Sequence, residues 1–183
     1  MSSGPARPGD DPAITAIAEQ VTAGKDSIAV SADMLDEPPN DKLEKREPAL
    51  WMKIKAMTMA ERTKLALRGN KEARMILIRD VNIQIQRLVL HNPRITEDEI
   101  LTIAKDRNTH DELLVWIADS RDWIKNYAVR TALVENARTP VAKALRILPT
   151  LDERELSRLG KSKQIPQVVA MQARRMALQR RDR

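Results

Sequence analysis

Two histidines, two acidic clusters and one Gly-Lys-Ser are the residues of this chain whose types could do chemistry. A transition-metal site needs several His, Cys or carboxylate ligands at close spacing. General-base catalysis needs a titratable group with its proton-transfer partner in reach. His91 ends an apolar run directly before Asn92-Pro93, where a donor suits helix-end carbonyls. His110 is the second residue of a Thr-x-x-Glu phrase. Neither has a second His or a Cys at ligand spacing. The chain has no Cys, which removes disulfides, thiolate metal sites, iron–sulfur ligation and Cys nucleophiles together.

The clusters Glu97, Asp98, Glu99 and Asp152, Glu153, Glu155 would have to oppose one another across a cleft to act as paired acids. Each instead falls in the first turn of an expected helix, where negative charge suits the macrodipole. Asp10-Asp11 leads into a helix and lacks the alternating pattern of a calcium loop. Gly160-Lys161-Ser162 ends like a phosphate-binding loop, but Glu155 stands where that loop needs its first Gly, and a helix precedes it. Gly69-Asn70-Lys71 fails likewise; both glycines read as helix ends. No catalytic, cofactor-binding or metal residue is nominated, and the expectation is a non-enzyme without cofactors.

The elements that position these residues are short helices. Phe is absent, Tyr occurs once and Gly five times, so the core is built from Leu, Ile, Val, Ala and Met, as closely packed helices allow. Thr-x-x-Glu recurs at Thr58, Thr96, Thr109 and Thr150, each copy reading as a capping box before an apolar run. Thr139-Pro140 adds a cap residue before a proline at the first helical position. From these starts and the apolar spacing we expect about nine helices after Pro48, among them 59–68, 73–79, 83–91, 97–105, 110–118, 124–134, 140–148, 151–159 and 166–181.

Residues 1–46 carry five Lys/Arg against nine Asp/Glu, whereas residues 47–183 carry 27 against 17. Residues 1–46 therefore read as an acidic, largely disordered leader, with Gly/Pro/Ser at its start and Pro38-Pro39 in a linker over 25–46. Within it, an amphipathic helix near 11–23 is capped by Asp11, carries Ile14, Ile17, Ala18 and Val21 on one face, and stops at Gly24. So short a helix must dock on the body or on another protein, and the body is favoured. Loss of residues 1–46 is expected to leave the helical domain, 47–183, intact. No apolar run reaches the length of a membrane span and no signal peptide is visible, so a cytoplasmic location is expected.

The helices repeat. Leu88 to Thr96 aligns with Ala132 to Pro140 at an offset of 44, bringing Asn92 onto Asn136. A period of that size, made of helix, tight Asn turn and capped helix, marks a helical solenoid. The phrase Ala128-Val129-Arg130-x-Ala132-Leu133-x-x-Asn136-x-x-Thr139-Pro140 resembles HEAT-like (armadillo-like) repeats, and more narrowly the leucine-rich repeat variant. Val89-Leu90-His91-Asn92-Pro93-x-Ile95-Thr96 resembles the same phrase with Pro moved beside Asn. The resemblance spans about residues 65–180. It implies an all-α, right-handed α-solenoid of short helix pairs and a protein-interaction scaffold. It transfers no catalytic residue. The iron–sulfur Cys cluster of some members has no counterpart here.

Expected structural repeat positions are Asn92, Asn136, Thr58, Thr96, Thr109, Thr139 and Thr150, the two Asn bridging backbone groups of adjacent turns. Two basic regions remain, 53–79 and 158–183, each with eight Lys/Arg. Partner contacts are expected at Arg68, Lys71, Arg74, Arg174 and Arg175, with Trp116 and Trp123 as core or half-core residues that become anchors if exposed. A protein partner is the preferred reading, and nucleic acid held by the basic faces is the alternative.

Overall fold

A computed structural model describes residues 10–36 and 47–181. Among them are eleven α-helices, three short 3-10 turns and no strand, so the chain is all-α. They divide into two compact units, on either side of the Ile95–Thr96 bond. No described helix is long and apolar enough to cross a membrane.

The first unit opens with α1 (Pro12–Thr22). Asp11 caps it, accepting from the Ala13 N–H at 2.8 Å, and Gly24 ends it in the left-handed region at φ 68°. Ile14, Ala18 and Val21 are buried and α1 packs along α3 (Met59–Arg68). Burying Ile14 and Val21 is worth about 4 kcal/mol, which offsets the instability of so short an isolated helix. α3 packs in turn on α5 (Ile83–Leu90), while α2 (Glu47–Ala56) packs on α4 (Lys71–Leu77). Helices two apart in sequence are thus neighbours. In α2, Leu50 and Ile54 face the core, whereas Trp51 is half exposed.

Residues 25–36 are not a free linker. Lys64 on α3 holds the Asp26 carboxylate and the Ile28 carbonyl, both at 2.6 Å. That hydrogen bond holds the Asp26 carboxyl below the ordinary carboxylate range. Asn70 donates to the carbonyls of Asp33 and Asp36, and Arg94 to that of Leu35. Much of the leader therefore belongs to the first unit, and its loss would strip cover from α3. The disorder expected at its start and around Pro38-Pro39 concerns residues 1–9 and 37–46, which lie outside the described residues.

The second unit contains α6 (Glu97–Lys105), α7 (Asp111–Asp119), α8 (Tyr127–Glu135), α9 (Val141–Ile147), α10 (Glu153–Leu159) and α11 (Gln167–Arg181). α6 packs on α8, α7 on α9, and α9 on α11. The next-but-one pattern recurs here, with Leu113, Leu114, Ile117, Leu133, Leu148 and Leu156 fully buried.

Two of the four expected capping boxes form. Thr58 with Glu61, and Thr96 with Glu99, exchange both reciprocal bonds. The Thr109 hydroxyl instead turns back to the Ile103 carbonyl at 2.7 Å, and His110 becomes the cap of α7, its Nδ1 accepting from the Glu112 N–H. Thr150 lies inside a 3-10 turn that extends α9, donating to Ile147, so Asp152 caps α10. Thr139 sits one residue too early: Pro140 occupies the cap position of α9, and the buried Thr139 hydroxyl has no hydrogen-bond partner among the described residues. The expected helix 124–134 is split, because Asn126 caps a new helix after the 3-10 turn Trp123–Lys125.

Candidate interaction surface

Asn92 and Asn136 close equivalent turns in the two units. Asn92 is 2% exposed; its amide donates to the carbonyls of Ala66 (2.9 Å) and Gly69 (3.3 Å) at the end of α3, and its oxygen accepts from Arg94 N–H. Asn136 is 4% exposed and donates to Ala104 (2.8 Å) and Asp106 (3.0 Å) at the end of α6, accepting from Arg138 N–H. Each satisfies carbonyls that a helix end leaves without an intrahelical partner. Each also ties a helix to the neighbour two before it, α5 to α3 and α8 to α6. Asn70, fully buried, is a third clamp: it caps α4 and grips the leader. Its signal in the sequence was the Asn-Lys-Glu-Ala start before Met75-Ile76-Leu77.

The first basic region is largely consumed by the fold. Arg62 pairs with Asp80 at 2.7 Å and Lys64 with Asp26 at 2.6 Å. Arg68 is exposed but donates to the Val21 carbonyl at 3.1 Å, at the C-terminal end of α1, where a cation suits the helix dipole. Arg74 is a correction: it is 2% exposed and donates to the Gly69 carbonyl at 3.0 Å, so it offers nothing to a partner. Lys71 is exposed at the first residue of α4. Lys55 covers the ring of half-exposed Trp51 at 4.7 Å.

The second region keeps more of its charge outward. Arg158 is held between Glu155 and Glu135, and Arg180 donates to the carbonyls of Leu151 and Pro149, both at 2.6 Å. Lys161, Arg174, Arg175 and Arg181 are exposed. α11 packs tightly on Gly160, the cap after α10: a Cβ there would lie 2.9 Å from the Arg174 Cβ and 3.0 Å from its Cα. Beside this contact a cleft of about 380 Å³ opens between α10 and α11. Trp116 on α7 and Trp123 in the 3-10 turn are both half-buried.

The residues that could have done chemistry are placed structurally. His91 caps the end of α5, and burial, with the nearby Arg87 charge, pushes its pKa down from the ordinary 6.5. Glu97 accepts from the Asn126 amide at 2.6 Å, Glu99 completes its capping box, and Asp152 caps α10. No group of His, Cys and carboxylates suited to a metal occurs among the described residues. Compared with known proteins, the chain matches no family model, no curated protein and no solved structure.

Proposed function

We propose that this chain is a non-catalytic interaction scaffold: a right-handed α-solenoid of short, HEAT-like helix pairs that binds a protein partner along its surface. The observation that carries the reading is the Asn clamp, set 44 residues apart and joining next-but-one helices in both units. Stacked short helices bury one another's apolar faces and leave extended outer surfaces, and such surfaces serve binding. Of the side chains that could have done chemistry, His91, His110, Glu97, Glu99, Asp152 and Glu155 serve as caps, ion-pair partners or hydrogen-bond acceptors within the fold.

A nucleic-acid reading draws on the outward cations of α11 but loses much of 53–79, where Arg62, Lys64, Arg68 and Arg74 are engaged within the fold. The test is affinity capture on the full-length chain, then reconstitution with the purified partner. A stoichiometric complex by size-exclusion chromatography supports the proposal. Failure to form any such complex, together with gel shifts that weaken steeply between two salt concentrations, overturns it in favour of nucleic acid.

A further inference from the structure

The last helix has two faces of opposite fate. Val169, Ala173 and Ala177, four apart, are buried, whereas Val168, Met171 and Leu178 are 53%, 59% and 53% exposed. At 3.6 residues per turn, Met171 and Leu178 lie one above the other two turns apart. Arg174 and Arg181 form a parallel row between them and the buried edge. Those arginines, with Lys161, Ala177 and Leu178, line the cleft against α10, where Glu153 is the one carboxylate among the described lining residues. Among the described residues none of the three cations has a side-chain ion pair or hydrogen bond. Three like charges around one cleft, beside an uncovered apolar edge, set a potential that favours an anionic and partly apolar occupant.

We propose that the α10–α11 cleft and its Met171–Leu178 edge receive an acidic amphipathic helix of a partner protein. Apolar residues of that helix at i, i+3 and i+7 would cover Met171 and Leu178, and its carboxylates would pair with Lys161, Arg174 and Arg181. The proposal deepens the scaffold reading and rests on it. A second copy of this chain is disfavoured: a two-fold contact through this face brings Arg174 and Arg181 of both copies together, on a chain of net charge +6. Nucleic acid fits less well because the described lining holds no aromatic ring for a base and places Glu153 toward the phosphates.

The test is fluorescence anisotropy with the full-length chain and a fluorescein-labelled Leu/Glu peptide of about 15 residues, its Leu at i, i+3, i+7 and i+10. Saturable binding is expected. Affinity should fall at least about tenfold in Arg174→Glu/Arg181→Glu and again in Leu178→Glu. All three side chains are exposed, so circular dichroism should not change; Leu178→Ser gives a milder second variant with a smaller loss. A peptide of the same composition with its Leu spacing broken should bind about tenfold more weakly. Equal binding of that permuted peptide, or binding indifferent to the variants, overturns the proposal. So does a single-stranded RNA that binds more tightly than the peptide and responds to the arginine variant but not to Leu178→Glu. If the reconstituted partner complex persists undiminished in the arginine variant, the cleft assignment fails while the scaffold reading stands. If neither peptide nor any protein binds, both fail.

Discussion

Asn136→Asp should be at least as damaging as Asn136→Ala, although it changes one atom. Asn136 makes three hydrogen bonds in a site 4% exposed: two donated by its amide to Ala104 and Asp106, and one accepted from Arg138. At roughly 1 kcal/mol net per bond, Ala costs about 3 kcal/mol, and stranding the buried Ala104 carbonyl adds to that. Asp keeps the acceptor for Arg138 but points a carboxylate oxygen at two carbonyl oxygens, replacing attraction with repulsion. The loss of stability should therefore reach about 3 kcal/mol or more above the pKa of the new carboxyl. It should shrink relative to Ala as acid restores a proton to donate. Urea unfolding reads the magnitude, and hydrogen exchange at the ends of α6 and α8 localises it. An Asp variant within about 0.5 kcal/mol of the parent would refute the clamp, because shape alone would then account for the residue.

Three further outcomes follow from buried contacts. Ile14→Ala should destabilise the first unit by about 3 kcal/mol and speed proteolysis of residues 25–36, seen by limited digestion. Gly160→Ala, at an ordinary negative φ, should cost about 1–3 kcal/mol in thermal unfolding because its methyl meets the Cβ and backbone of Arg174. Its cost should exceed that of Gly→Ala at an open site of like conformation. His91 has a folded-state pKa below 6.5, so the unfolded chain binds the extra proton first. Stability from this residue is present above 6.5 and is lost as pH falls from there through the folded value. His91→Gln should flatten that part of the urea midpoint against pH, whereas an unchanged slope would place the titration elsewhere.

Helix existence was legible because apolar spacing and cap chemistry agree locally. The bounds of 59–68 and 97–105 follow from Thr58 with Glu61 and Thr96 with Glu99, where nothing competes for the Thr hydroxyl. Thr109 and Thr150 carry the same phrase, but a carbonyl of the preceding helix captures each hydroxyl, and His110 and Asp152 take over the cap. That competition is decided by how the previous helix ends, which a four-residue phrase does not contain. The break at Asn126 was hidden because Asn is an ordinary residue until its side chain finds the Ala128 N–H. At the surface, charge was legible but its use was not. Arg74 and Arg174 look alike in sequence, yet one is sealed against a helix end and the other is open to solvent. The role of residues 25–36 was likewise invisible, since it depends on Lys64, Asn70 and Arg94 from far along the chain.

The direction of the Asn clamps carries a consequence for biogenesis. Asn70, Asn92 and Asn136 all donate to carbonyls 23 to 37 residues earlier in the chain. A ribosome delivers the amino-terminal side first, so at these three joints the acceptor emerges from the exit tunnel before its latch does. Each turn can then snap shut on a segment already waiting, in the order of translation.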